Sequence, residues 1–240
     1  MIRLPNPLRG VVFDLDGTLV DNMPFHVEAF ARFALRHGLP PLDATLRGRL
    51  DGKRNRDIFP ILFGRPLDDV TFHGYEDEKE GLYRELSRGG LRPLRGLLPL
   101  LDALPERGIA AAVATSAPAL NVVHTLAELG LAARLSTVVR SDEVAHGKPA
   151  PDVFIETARR LGVPPSACLA FEDAPAGVMA AQAAGMICVA LTTSFGPEAF
   201  PIHGARPDAC VADFEPILAA LAAESATGSR VASPGRRRSQ

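Results

Sequence analysis

Two aspartates, Asp14 and Asp16, stand one residue apart directly after the apolar run Val11-Val12-Phe13. That run has the pattern of a strand buried on both faces of a parallel sheet. Side chains alternate along a strand, so both carboxylates can point the same way beyond its carboxyl end, where open α/β sheets bind ligands. Two carboxylates in one small space repel each other, which predicts either a divalent metal or a split in pKa. Gly17 permits a tight turn after the pair, and Thr18 offers a hydroxyl to a neighbouring carboxylate or an incoming anion.

Three further strand ends carry groups of the same kind. Thr115-Ser116 follows an apolar run from Ile109 to Ala114, Lys148 lies in a loop after Ser136 to Val139, and Glu172-Asp173 follows Ala167 to Phe171. In a parallel sheet these ends collect along one edge. Together they suit phosphoryl transfer, where catalysis is mostly positioning and charge neutralisation. Asp14 could attack phosphorus and form an aspartyl-phosphate, while Asp16 protonates the leaving alkoxide and then takes a proton from water. Thr115 could donate to a phosphoryl oxygen and Lys148 would bring a positive charge to the same group. Asp173, with Glu172, could complete an oxygen-only metal site; standing before Ala174-Pro175, it also reads as a helix cap.

The elements that position these groups follow from periodicity. Residues 21–91 read as all helical, with an apolar face from Pro24 to Gly38, a second helix near Ala44 to Leu50 and a longer amphipathic helix from Val70 to Leu86. A polar, basic loop from Asp51 to Asp57 interrupts them, and Gly89-Gly90 marks a hinge. From Leu97 strands and helices alternate, as in a parallel sheet with crossover helices, ending with a helix from Phe214 to Ala223. The expected architecture is α/β, a Rossmann-like parallel-sheet core (1–20 and 92–224) with an inserted all-helical cap (21–91). Residues 225–240, with four arginines and no acid, are expected to be a disordered tail.

Length and composition bound the rest. The 240 residues suffice for one core domain and a small insert, and the net charge of −2 gives no reason to expect nucleic acid or membrane as a partner. Cys168, Cys188 and Cys210 are far apart and lie in apolar contexts, so they read as reduced core residues. The N-terminal segment lacks the apolar stretch of a secretion signal, and a cytoplasmic location is expected. A monomer is expected as well.

Asp14-Leu15-Asp16-Gly17-Thr18-Leu19-Val20 resembles the first motif of the haloacid dehalogenase superfamily of phosphatases and phosphomutases. Thr115 matches the second motif, Lys148-Pro149-Ala150-Pro151-Asp152-Val153-Phe154 the third, and Phe171-Glu172-Asp173-Ala174-Pro175-Ala176-Gly177 the fourth. The helical insert resembles the cap of the β-phosphoglucomutase-like phosphatases. The resemblance implies Asp14 as nucleophile, Asp16 as general acid/base, and Mg²⁺ bound by Asp14, by Asp173 in the Glu172-Asp173 motif and by the main-chain carbonyl of Asp16. It implies that the insert closes over a phosphoester of a small metabolite, with His26 and the loop from Asp51 to Asp57 facing the core. Thr115, Ser116, Lys148, His26, Lys53, Asn55 and Arg56 are the expected substrate-binding residues, although His26 could equally be a packing or surface residue. In the mutases a Lys and an Arg of the cap loop hold a second phosphate; Asp51 and Asn55 stand at those places here, with Lys53, Arg54 or Arg56 as partial substitutes. The expected function is a Mg²⁺-dependent phosphatase acting on a sugar or polyol phosphate. A β-phosphoglucomutase is the alternative, and a phospho-acceptor signalling module or a 2-haloacid dehalogenase fits less well.

Overall fold

The computed structural model describes residues 2–228. Strand β1 (Gly10–Phe13) is followed by four helices, α1 (Met23–Arg36), α2 (Ala44–Leu50), α3 (Asn55–Phe63) and α4 (Asp69–Ser87). Alternation then sets in with α5 (Leu97–Glu106), β2 (Ala110–Thr115), α6 (Ala119–Glu128), β3 (Val138–Arg140), α7 (Asp152–Leu161), β4 (Cys168–Glu172), α8 (Pro175–Ala183), β5 (Ile187–Leu191), α9 (Ala199–Ile202), β6 (Ala209–Val211) and α10 (Glu215–Gly228).

The strands form one parallel sheet in the order β3-β2-β1-β4-β5-β6. β1 is central, and all four of its residues are buried, as an apolar run without alternation requires. Register places Phe13 opposite Val113 on β2 and Phe171 on β4, so Asp14, Thr115 and Glu172 leave the sheet along one edge. One face of the sheet is covered by a cluster that includes Phe13, Leu100, Phe171 and Phe214, the other by Val12, Phe154, Val178 and Phe200. Phe13 stacks on Phe171 with centroids 5.3 Å apart, and burying each such ring is worth about 2–3 kcal/mol.

Helices α1 to α4 build a third apolar cluster of their own around Phe33, Phe59, Phe72 and Tyr83. Asp43 and Asp68 start α2 and α4 by accepting from the backbone N–H of Leu46 and Thr71, and Gly64 ends α3 in the left-handed conformation. The chain enters and leaves this insert at adjacent points: Val20 pairs with Pro93, and Leu94 N–H donates to Leu19 O at 3.0 Å.

Several elements differ from the sequence expectation. Asn55, Arg56 and Asp57 belong to the first turn of α3, so the loop of the insert ends at Arg54; their polarity reflects a helix start, where Asp57 complements the dipole. The short helix α9 carries no periodic signal, and α10 continues through Gly228. Cys168 and Cys188 are buried free thiols, whereas Cys210 on the edge strand β6 is only half-buried. The expected disordered tail lies, from residue 229 on, outside the described residues.

Candidate active site

The site is built on Asp14, whose backbone N–H donates to Phe171 O at 2.9 Å and so continues the β1–β4 pairing one residue past the strand. Its carboxylate is met by Lys148 Nζ at 2.5 Å, and the same ammonium donates to Glu172 Oε1 at 2.6 Å and Ala114 O at 3.1 Å. Lys148 comes from the loop after β3 yet is fully buried, its three donors spent on the ends of β1, β2 and β4. Glu172 is engaged at both oxygens, since Oε2 accepts from the N–H of Asp173 and Ala174. A Cβ at Gly177 would overlap the Glu172 carboxylate, so only glycine fits the first turn of α8.

Asp173 is buried beside this pair and takes a short hydrogen bond from Ser194 Oγ. It is not the cap of α8: that position is Ala174, with no side-chain cap bond, and the Asp173 side chain faces Asp14 instead. Gly17, at φ 74°, lets the turn after the aspartates come against Asp173, because a side chain there would overlap its carboxylate. Thr18 makes no bond to a neighbouring carboxylate: its buried hydroxyl has no partner among the described residues.

Asp14, Glu172 and Asp173 each bring a carboxylate oxygen to within 4.8 Å of the others. One lysine cannot balance three buried carboxylates. Burial, reinforced by Glu172 and Asp16, pushes the Asp14 carboxyl up to about 8 against the pull of Lys148, and burial with Glu172 and Asp14 pushes Asp173 well above the usual carboxylate range. Excess negative charge on hard oxygen donors is what a divalent cation such as Mg²⁺ relieves, so the residues present fit the metal.

Asp16 has a different setting. Its carboxylate accepts from Asn22 Nδ2 at 2.6 Å and lies 3.7 Å from His26 Nε2, and although burial works against the charge, His26 and Asn22 hold the group below the usual carboxylate range. Asn22 also accepts from Gly17 N–H at 2.9 Å and donates to Tyr83 OH at 2.6 Å, which ties the turn of the core to α4. His26 stacks on Tyr83 at 3.8 Å, and its Nδ1 lies 3.0 Å from Lys79 Nζ. An ammonium only donates, so Nδ1 accepts and the proton is assigned to Nε2, the nitrogen facing Asp16.

Above these groups lies a cavity of about 160 Å³ between sheet edge and insert, lined by Asp14, Asp16, Thr115, Ser116 and Asp173 from the core and by His26, Lys53 and Asn55 from the insert. Thr115 Oγ1 accepts from Ala117 N–H at 3.0 Å, which leaves its proton free for a ligand. Ser116 Oγ donates to Gly52 O at 2.8 Å and Arg54 Nη1 to Ser141 O at 3.3 Å, so the loop between α2 and α3 is fastened to the core. Arg56 is not brought to the site. Its guanidinium pairs with Asp69 at 2.9 Å and lies 4.3 Å over the Phe72 ring, because position 56 falls on the outer side of α3.

Lys79 and Glu80, a buried pair 2.9 Å apart on the cavity wall, were not among the expected site residues. Charged residues on an amphipathic helix read as solvated, but their spacing from Phe72 and Tyr83 places both on the buried stripe, and that was the available signal. Asn22 and Tyr83 are likewise site residues that sequence reasoning passed over.

Residues 8–185 match the family model described as haloacid dehalogenase-like hydrolase. Relatives include the fructose-1-phosphate phosphatase YqaB of Escherichia coli, 35% identical over 184 residues that cover 75% of this chain and 94% of that protein. A protein named beta-phosphoglucomutase from Mycobacterium bovis is 32% identical, covering 79% and 82% of the two chains. Among solved structures, a hydrolase of family IA, variant 3, from Entamoeba histolytica superposes with a TM-score of 0.75 at 28% identity, covering 86% of this chain and 93% of its own. A family match over residues 8–185, together with relatives more than 30% identical that are covered over most of their length, leads to one assignment: this chain belongs to the haloacid dehalogenase-like hydrolases.

Proposed function

We propose that the protein is a phosphatase that hydrolyses a small phosphate monoester, a sugar or polyol phosphate, through an aspartyl-phosphate on Asp14. The observation that carries this reading is the pairing of two differently tuned carboxylates on one cavity: Asp14 against Lys148, and Asp16 held by Asn22 and His26. The roles follow from placement and not from the metal-free proton affinities, which run the other way: Asp14 lies in the acidic cluster beside Lys148, where a bound cation would ionise it, and Asp16 stands outside that cluster on the cavity wall.

In the first step an Asp14 oxygen forms a bond to phosphorus as the ester oxygen leaves, and Asp16 gives that oxygen its proton. Asp16 is ionised at rest, and an incoming phosphate dianion beside it raises its proton affinity by like-charge repulsion. In the second step Asp16 takes a proton from water, the water oxygen bonds to phosphorus, and Asp14 is released. Thr115 would donate to a phosphoryl oxygen, and Lys148 would hold Asp14 in line and share its charge with the phosphoryl group. Asp14, Asp173 and the main-chain carbonyl of Asp16 would hold Mg²⁺, which lowers the repulsion between an anionic nucleophile and an anionic substrate. The insert would act as a cap that excludes water and reads the rest of the substrate.

Hydrolysis is favoured over mutase chemistry because the insert's arginines that could hold a second phosphate are engaged elsewhere, which leaves Lys53 as the unpaired cation on the cavity lining among the described residues. Arg56 is on Asp69, Arg54 is on Asp57 at 2.7 Å, and Arg47 is on Asp51 at 2.8 Å. The test is phosphate release from a panel of sugar and polyol phosphates, with Mg²⁺ and with EDTA, by wild type and Asp14→Asn. Metal-dependent release that vanishes in Asp14→Asn is expected; release that survives the substitution overturns the mechanism. Conversion of β-glucose 1-phosphate to glucose 6-phosphate on adding glucose 1,6-bisphosphate would establish the mutase instead.

A further inference from the structure

The loop between α2 and α3 meets the core at three points, each beside a residue of the candidate site. Ser116, next to Thr115, donates to Gly52 O at 2.8 Å. Gly52 itself, at φ 83°, lies so close to Ala174, next to Asp173, that a Cβ there would stand 2.8 Å from the Ala174 Cβ. The third point is Arg54. Its Nη1 donates to Ser141 O at 3.3 Å, and its Nε is held by Asp57 Oδ2 at 2.7 Å. The pair rests on Gly147, the residue before Lys148: a Cβ at that glycine would come within 2.9 Å of Arg54 Nε and 3.1 Å of Asp57 Oδ2. From Asp142 to His146 the chain is largely exposed, and Asp142, Glu143 and His146 pair at the surface with Arg140, Arg160 and Asp152. Lys148 is by contrast buried against Asp14. Gly147 is thus where an exposed loop turns inward, and a side-chain pair from the insert covers the turn.

We propose that Arg54 is a positioning residue: it fastens the insert onto the loop that delivers Lys148, so that closure of the insert and placement of the lysine are one event. The inference rests on the phosphatase reading above and deepens it. Lys53 and Asn55, on either side of Arg54, line the cavity and Arg54 does not, so it acts on the core rather than on the substrate. Asp57 orients the planar guanidinium before it meets the Ser141 carbonyl, which limits the side-chain entropy lost there, and a charged donor makes the stronger bond. Ser141 is tied a second time. Ser116 Oγ spends its proton on Gly52 O, so at 3.3 Å it is Ser141 Oγ that donates to Ser116 Oγ. One network therefore joins the loop of the insert, the end of β2 and the loop after β3.

The test measures kcat and KM for the best sugar phosphate of the panel and for phenyl phosphate with wild type, Arg54→Ala, Gly147→Ala and the double variant, together with amide hydrogen exchange of each full chain. Arg54→Ala should lower kcat by about ten- to a hundredfold for both substrates alike, with KM changed by less than about threefold, because what is lost is the placement of a group that acts on the transition state. Gly147→Ala, which pushes the guanidinium off its seat, should do the same, and the double variant should be no worse than the worse single one, since the two residues share one contact. Exchange should quicken in residues 51–57 and 141–148 of Arg54→Ala and stay unchanged in β4. A loss confined to KM or to one substrate, losses that multiply in the double variant, or exchange in 141–148 that Arg54→Ala leaves unchanged overturns the proposal. Arg54 is partly open to solvent, so its truncation leaves no buried void; if Gly147→Ala does not fold, Arg54→Ala decides by itself. Loss of the phosphatase reading looks different, as no substrate would then release phosphate in an Asp14-dependent way, and the exchange measurement still decides whether Arg54 holds the loop.

Discussion

Lys148 Nζ lies 2.5 Å from Asp14 Oδ1 with no part of the lysine side chain open to solvent. Removing it leaves Asp14, Glu172 and Asp173 without a counter-charge in a buried site. Lys148→Met is expected to destabilise the protein by about 3–5 kcal/mol as well as abolish turnover. Urea unfolding in EDTA checks this; a variant as stable as wild type would mean that the carboxylates take up protons instead.

The acidic cluster predicts an unusual dependence of stability on pH. A carboxyl whose pKa rises on folding, from 3.8 to about 8 for Asp14, confers stability that is full below 3.8 and lost as pH climbs through 8. Asp173 acts in the same sense, whereas Asp16 and Glu80, held down by their partners, lose their contribution only in acid, below this window. The metal-free protein should therefore unfold at lower urea at pH 8 than at pH 5. Mg²⁺ at a hundred times its Kd should restore about 2.7 kcal/mol at pH 8 and less at pH 5, where protons compete for the same oxygens. Asp14→Asn should flatten both effects; a slope unchanged by that substitution would place its origin elsewhere.

Gly177→Ala tests the fit of α8 against Glu172. The added methyl must displace a carboxylate that holds Lys148 and two backbone N–H groups. A loss of about 1–3 kcal/mol is expected, with a fall in kcat larger than any rise in KM, since Lys148 is moved along with its partner. Thermal melts and steady-state kinetics on the same sample read both.

Arg56→Ala should change neither kcat nor KM by more than about twofold, and stability by no more than about 1 kcal/mol, as expected for an exposed pair with Asp69. A tenfold rise in KM would show that the α3 start swings inward on substrate binding.

The edge of the sheet that carries the candidate site was legible because strand ends are local: an apolar run that stops at Asp14, Thr115 or Glu172 needs no knowledge of the rest of the chain to place those groups together. β2 (Ala110–Thr115) and β4 (Cys168–Glu172) each lie within one residue of the apolar runs from Ile109 to Ala114 and from Ala167 to Phe171. The insert was legible only as helices. Which side of α3 and α4 faces the core depends on how four helices pack, so Arg56 was expected at the site and Lys79 and Glu80 were not singled out. Asn55 was read in a loop because its neighbours are polar, although that polarity belongs to a helix start. Asp173 carried two readings, metal-site residue and helix cap, and the cap is the one not formed: Ala174 takes that position while Asp173 lies with Asp14 and Glu172.

The pairing of Val20 with Pro93 means that the backbone of all four helices enters and leaves the sheet at one place, while the other ties to the core run through side chains. A segment joined that way can be lengthened, trimmed or exchanged wholesale while the strands beneath keep their register. Changes in what this protein acts upon would thus accumulate in residues 21–91, separately from those that preserve how it acts, much as a handle accepts different blades.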